Sequence, residues 1–462
     1  MLARSQLTNQ IPSSKLQISS TMYNTIAKPI PQRSAEEIIQ LRRQHLNPTL
    51  SMSYQEPIKM VRGRGAYLYD EQGNAYLDMV NNVCHVGHCH PTVVAAGQAQ
   101  MAELNTNTRY LHDNIVEYAQ RLAVTFPKEL SVVFLTNSGT EANDLALRIA
   151  KTYTQNNDII VVDHAYHGNS PTMIELSPYK FDGKGGRGRP AQIQVAEIPD
   201  DYRGQFRRGD SKAALQYAND LHRCIQAIHD RGAKPAAFYC ESILGCGGQV
   251  VLPQGYLAAA YAHARAAGAV CIADEVQVGF GRSGQHFWAF ESQNVIPDIV
   301  TLGKPICNGH PMGAVVTRPE IAQAFITGME YFNTFAGNPV SCAMGLAVLD
   351  VIEQEQLQKN AAEVGAFLLE ALMNLKTQHP LIGDVRGMGL FIGVELVKDQ
   401  TLRTPATQEC KCVIEYLKAH RILLSSDGPY DNVLKIKPPL VFSLTNAKEF
   451  LNCLEEALKT LS

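Results

Sequence analysis

The chain has 462 residues, 45% hydrophobic and 18% charged, the composition of a soluble globular protein and a length that implies two or three domains. Its 41 basic and 44 acidic residues leave a net charge of −3 with no charge run, which removes the electrostatic case for nucleic acid or an anionic membrane surface as partner. No window approaches the roughly 18 apolar residues of a membrane-spanning helix, and eleven scattered cysteines suit a reducing compartment, here the cytoplasm, better than a disulfide framework.

Residues 1–34 contain no acid and four basic residues, a superficial likeness to an organellar transit peptide. Pro12, Pro29 and Pro31 interrupt any helix there, so the segment reads as a disordered extension. Helical signal begins at Ser34-Ala-Glu-Glu, a capping-type start, and runs to residue 45. Short strands follow over 58–62 and 66–78, with a turn at Gln72-Gly73-Asn74. The loop 82–91 carries His85, His88, His90, Cys84 and Cys89, but their spacing fits no common zinc pattern. A pocket-lining loop without metal is the expectation. Residues 35–90 are expected to join a small domain.

Apolar spacing predicts helices over 91–105 and 114–126. A strand at 131–136 then runs into Asn137-Ser-Gly-Thr-Glu-Ala, with a helix over 142–154. Strand, small polar turn and helix amino terminus make a ready anion site, although Ser138 or Thr140 as an ordinary helix cap has the same pattern. Further strands are expected at 158–163, 236–241, 269–273 and 299–302, and helices at 213–231 and 256–267. The alternation argues for a doubly wound, mainly parallel α/β sheet within a large domain at 91–340. Two Gly-x-Gly-x-x-Gly matches, at 183–188 and 279–284, lack the strand-to-helix context of a dinucleotide site. Arg187, Arg189, Arg203, Arg207 and Arg208 make the middle region locally basic, to meet a phosphorylated substrate or simply as a solvated loop. After a glycine-rich loop at 308–313, helices are predicted at 339–355, 358–375, 407–419 and 446–461 and strands at 389–396 and 433–436. Residues 341–462 read as a smaller α+β domain.

Two strand ends carry the chemistry. The run 269–273 ends in Asp274 and Glu275, and the run 299–302 ends in Gly303-Lys304-Pro305. Buried parallel strands open their carboxyl ends onto the ligand crevice, so this acid and this lysine can face one molecule. Pyridoxal phosphate requires both a carboxylate at its pyridinium nitrogen and a lysine Schiff base at its aldehyde. A surface lysine paired with a helix is the alternative.

Asn137-Ser-Gly-Thr-Glu-Ala, Tyr166-His-Gly, Ala273-Asp-Glu-Val-Gln-Val-Gly-Phe-Gly-Arg, Gly303-Lys and Asn333-Thr through Gly337-Asn-Pro together resemble the class III (omega) aminotransferases, fold type I enzymes of pyridoxal 5'-phosphate (PLP). The likeness runs from about residue 35 onward. It implies that Lys304 is the Schiff-base lysine and Asp274 the pyridinium partner. It further implies that Ser138, Gly139 and Thr140 bind the phosphate, Tyr166 stacks on the ring and Gln277 approaches the ring hydroxyl. His167 and Glu241 join the cofactor-contacting set. Thr334 is implied to reach the cofactor of a neighbouring subunit, hence a homodimer with shared sites, alone or paired into a tetramer.

Within the family, the segments 81–91, 105–113, 177–181, 246–249 and 432–439 resemble the phospho-lyase branch, whose members act on ethanolamine phosphate and phosphohydroxylysine. Lys435 stands where many of the aminotransferases have Arg, so a bidentate clamp for a substrate carboxylate is replaced by a point charge. The expected substrate is therefore a small phosphorylated amine, with Asn82 and Lys435 as candidate contacts. The expected reaction is elimination of phosphate, giving acetaldehyde and ammonia from O-phosphoethanolamine. Transamination to a keto acid such as pyruvate or glyoxylate is the alternative.

Overall fold

The structure, a computed structural model, describes residues 32–461, so the expectation for residues 1–34 lies almost wholly outside the described residues. The chain divides into two compact units, one up to Lys59 and one from Met60 onward. In the first, α1 (Ala35–His45) starts as its sequence predicts. Ser34 Oγ accepts from the Glu37 N–H (3.2 Å), and the Glu37 carboxylate accepts from the Ser34 N–H (2.9 Å), a reciprocal capping box.

The second unit opens with a meander of β1 (Met60–Arg64), β2 (Tyr67–Asp70) and β3 (Ala75–Asp78). Two helices follow, α2 (Pro91–Glu103) and α3 (Asp113–Val124). Next come β4 (Val132–Thr136), α4 (Gly139–Thr154), β5 (Asp158–Val162), β6 (Ile193–Ala196) and β7 (Pro235–Glu241). A small hairpin of β8 (Ile243–Leu244) and β9 (Val250–Val251) precedes β10 (Val270–Asp274), β11 (Ile299–Leu302) and β12 (Gly313–Thr317).

The seven long strands form one sheet in the order β4-β12-β11-β10-β7-β5-β6. Only β12 runs against the others, pairing antiparallel with both β11 and β4. The mainly parallel α/β sheet expected from the sequence is therefore present. Successive residues of β5 serve opposite faces: Ile159 and Val161 pack with Ala142, Leu145 and Ile149 of α4, whereas Ile160 and Val162 pack with Tyr217, Leu221 and Tyr261. Burial on both faces explains why the strands read as unbroken apolar runs.

The remaining strands are β13 (Ile382–Met388), β14 (Phe391–Asp399), β15 (Thr404–Pro405), β16 (Ile422–Leu423), β17 (Ser425–Asp427) and β18 (Val433–Ile436). β13, β14, β18 and β17 line up antiparallel, while β16 pairs in parallel with β3 and ties the meander to the C-terminal part. β6, β8, β9, β12, β13, β15, β16 and β17 are additions to the sequence expectation. Two arginines of the basic middle region are engaged in ion pairs: Arg203 bonds the Glu395 carboxylate, and Arg208 bridges Asp201 and Asp384. No helix among the described residues is long and apolar enough to cross a membrane.

Candidate active site

Asp274 ends β10, and the register places it beside Glu241 at the end of β7 and Thr301 near the end of β11. Three residues past Thr301, Lys304 opens a turn of 3-10 helix. The sheet thus brings the acid and the lysine to the same edge. Lys304 is part-buried and its ammonium makes no hydrogen bond or ion pair among the described residues. Burial pushes its pKa below the usual lysine range, against the pull of Asp274, Cys246 and Glu241. A lysine held toward its neutral form, with a free Nζ, is a competent nucleophile and base.

Asp274 is 4% exposed and firmly aimed. One oxygen accepts from Asn143 Nδ2 (2.9 Å) and His167 Nδ1 (2.8 Å), the other from the Val276 N–H (3.0 Å). Asn143 also donates to the His167 carbonyl (2.6 Å) and accepts from the Tyr239 hydroxyl (2.8 Å). His167 therefore serves as a brace for Asp274, with its ring 4.6 Å from Tyr239 and its Nε2 buried without a partner. Asn143 was not expected from the sequence. It lies on the inner face of α4, one turn after the polar loop, and only the helical spacing from Gly139 could have pointed to it.

Ser138 is the N-cap of α4, its Oγ accepting from the Glu141 N–H (3.2 Å), so its hydroxyl proton remains available to donate. Thr140 Oγ1 accepts from the Asn169 N–H (3.2 Å). The anion-site and helix-cap readings of this turn are thus compatible. Gly139 is needed for closeness: a Cβ there would lie 2.7 Å from Val276, and one on Gly303 would lie 2.9 Å from the Gly139 Cα. The helix terminus is in this way pressed against the strand ends that carry Asp274 and Lys304.

Tyr166 is half-buried, edge-on to Tyr179 at 6.0 Å, with Lys180 Nζ 5.6 Å from its ring centre. Its N–H donates to Glu241 (3.1 Å), and the other Glu241 oxygen accepts from the Gly245 N–H (3.0 Å). Glu241 thus organises the loop of Tyr166 and the glycine-rich turn. Burial raises its pKa to about 7, against lowering by His167 and the two N–H bonds. Gln277 Oε1 accepts from Lys437 Nζ (2.8 Å), with the Asn82 amide at 3.5 Å. Lys435 Nζ pairs with Asp427 (2.9 Å), whose second oxygen accepts from Gln249 Nε2 (3.1 Å). Lys437 and Asp427 are further residues absent from the sequence expectation.

Thr334 is exposed, on a segment whose Asn333 bonds Asn137 (2.8 Å) and Glu141 (2.9 Å). The histidines of loop 82–91 have separate protein partners: His85 the Phe280 carbonyl (2.7 Å), His88 Asp78 (2.7 Å) and His90 Glu355 (2.9 Å).

These residues fit PLP. The donor set at 138–140 suits a phosphate, the buried and braced carboxylate suits a protonated ring nitrogen, and the unpartnered amine suits an aldehyde.

Comparison with known proteins agrees. The model of the class III aminotransferases matches residues 50–458. The chain is 52% identical over 433 residues to a Drosophila melanogaster protein named alanine–glyoxylate aminotransferase 2-like, covering 92% of this chain and 88% of that one. It is 42% identical over 443 residues to ethanolamine-phosphate phospho-lyase homolog 1 of Caenorhabditis elegans, covering 93% and 95%. Among solved structures, a phospholyase from Arthrobacter in complex with phosphoethanolamine superposes with a TM-score of 0.88 at 39% identity, over 92% of this chain and 100% of that one. The chain belongs to the class III aminotransferases, and its cofactor is PLP.

Proposed function

We propose that the protein is a phospho-lyase that eliminates phosphate from a small phosphorylated amine, with O-phosphoethanolamine the preferred candidate. When bound, PLP supplies an electrophilic aldehyde and an electron sink. Lys304 would hold it through Nζ, and the same Nζ would accept the proton from the substrate carbon that bears the nitrogen. Asp274, braced by His167 and Asn143, holds a proton at the ring nitrogen. Ser138, Gly139 and Thr140 hold the cofactor phosphate at the start of α4, and Tyr166 covers the ring. Glu241 keeps Tyr166 in place, and Gln277 lies against the pocket wall with Asn82.

The observation that carries the lyase reading is the cation set on the substrate side. Lys435 and Lys437 are point charges, and the arginines nearby are engaged: Arg386 with Asp384, Glu395 and the Gly248 carbonyl, and Arg282 with the Leu390 and Pro438 carbonyls and His85. Among the described residues these two guanidinium groups are thus already committed to protein partners, which disfavours a bidentate grip on a substrate carboxylate, whereas ammonium groups suit a phosphate. The name of the 52% identical Drosophila relative favours a second reading, transamination, which shares the early proton transfer and then needs a keto acid. Release of phosphate and acetaldehyde from O-phosphoethanolamine without any keto acid tests the first reading. Activity only with pyruvate or glyoxylate supports the second.

We further infer a homodimer. Tyr110, Leu111, Ile326, Met329 and Phe335 are exposed, and Arg109 joins their two loops through Glu330 (3.1 Å) and the Phe332 ring (3.9 Å). Such a patch suits an isologous contact that would carry Thr334 to the partner's cofactor. Eleven unpaired cysteines support a reducing compartment, and we assign the cytoplasm, although some relatives are named as mitochondrial.

A further inference from the structure

We propose that Lys437, with Lys435 beside it, binds the phosphate group of the substrate. The assignment rests on the phospho-lyase reading and gives it a residue that the family resemblance did not supply. Lys435 lies in β18, and Lys437 follows directly after its last residue, Ile436. The Lys437 N–H donates to the Met79 carbonyl (2.9 Å), which fixes the backbone from which the side chain departs. Lys437 is 7% exposed, and its ammonium donates to one neutral acceptor, Gln277 Oε1 at 2.8 Å.

Among the described residues it has no carboxylate partner. Asp427 is committed to Lys435 and Gln249, and Asp274 to His167, Asn143 and the Val276 N–H. A buried ammonium without a counter-ion is costly, so such groups are normally paired or lose their proton. Burial, seconded by Lys435 and Lys304, pushes Lys437 down to about 7, and Asp427 and the Cys246 thiol only partly offset this. The charged and titratable groups acting on it are thus Lys435 on β18, Asp427 on β17, Lys304 after β11 and Cys246 in the glycine-rich turn. Lys435 and Lys437 thus share a region in which the carboxylate acting on Lys437, that of Asp427, is already paired with Lys435. The ligand that relieves this is a small dianion that reaches both lysines.

A phosphate monoester is a dianion above its second pKa of about 6 and offers three acceptor oxygens. Its arrival restores the proton on Lys437, so at pH 8 binding and proton uptake are coupled. The pairing breaks no bond. It places positive charge beside the oxygens that leave with the phosphate, where negative charge grows during elimination. Gln277, which holds Lys437 in the resting site, then connects the cofactor side of the pocket to the phosphate side.

The test uses the holoenzyme, whose cofactor occupies its own phosphate turn, with inorganic phosphate as probe. Calorimetric titration at pH 8 in two buffers of different ionisation enthalpy reads affinity and proton uptake together. The wild type is expected to bind phosphate with net uptake of protons. Lys437→Met is expected to bind about 30-fold more weakly or worse, with no uptake. Lys437→Arg is expected to bind phosphate without uptake, because its charge is permanent. Wild-type affinity and uptake in Lys437→Met overturn the proposal. Melting temperature and cofactor absorbance report whether that variant is folded, and if it is not, proton uptake persisting in Lys437→Arg overturns the proposal instead. Phosphate binding with these signatures, but no phosphate released from O-phosphoethanolamine, sinks the lyase reading and leaves the anion site standing. Undiminished release by Lys437→Met does the reverse.

Discussion

Lys304 stands at the strand ends without a hydrogen bond of its own, so replacing it removes chemistry and leaves the surrounding contacts in place. Lys304→Ala is expected to fold with a melting temperature close to wild type and to lack the visible absorbance of lysine-bound cofactor. Its turnover is expected to fall by at least about 1,000-fold, since nucleophile and base are lost together. Wild-type absorbance in the variant would remove Lys304 from its role. His88 offers a second test at this scale. Burial lowers its pKa, but the bond to Asp78 and the Cys84 thiol outweigh it and leave it at about 9. Because the folded-state pKa is raised, the stabilisation is fully present below about 6.5 and is lost as pH climbs through 9. Asp78 also accepts from the Val80 (2.9 Å) and Asn81 (3.0 Å) N–H groups, so the pair fixes the loop that carries Asn82. Wild type should therefore exceed His88→Gln by up to about 3 kcal/mol near pH 6, in chemical denaturation, with the gap closing by pH 9. A pH-independent gap would contradict this.

At the scale of elements, the close approach of α4 to the ends of β10 and β11 decides whether the cofactor can sit. A methyl group on Gly139 would meet the Val276 side chain at 2.7 Å. Gly139→Ala is expected to cost about 1–3 kcal/mol and to release cofactor on dialysis that the wild type retains; full retention would show that the turn has slack. The elements that carry Asp274 and Lys304 were legible because strands buried on both faces read as apolar runs that stop at the functional residue. β12 was not, since Gly313-Ala-Val-Val-Thr has no period to distinguish it, and its reversed direction follows from a glycine-rich turn already read as loop. Lys437 was illegible for another reason. Nothing in Lys435-Ile-Lys437-Pro-Pro marks Lys437 as buried, and its hydrogen-bond partners, Met79 and Gln277, are distant in sequence. Glu241 was legible as a strand-end acid, but its engagement with the Tyr166 and Gly245 N–H groups depends on how two loops meet.

At the scale of the whole molecule, the proposed homodimer is tested through Phe335. Phe335 is 71% exposed and adjoins Thr334. Phe335→Asp is expected to sediment as a monomer and to hold cofactor more weakly, because Thr334 no longer reaches the partner's site. A monomeric wild type with full activity at the same concentration would contradict the dimer. The division of labour is then clear in physical terms. The parallel sheet presents the lysine and the acid, α4 presents the proposed anion turn, and the antiparallel C-terminal sheet carries Lys435, which with Lys437 is proposed to hold the substrate phosphate. The most direct test of that account is a count of phosphate released per cofactor when holoenzyme is mixed with O-phosphoethanolamine and no keto acid. Many phosphates per site are expected, matched one for one by acetaldehyde and ammonia. No phosphate, with turnover appearing only when pyruvate or glyoxylate is added, would contradict it.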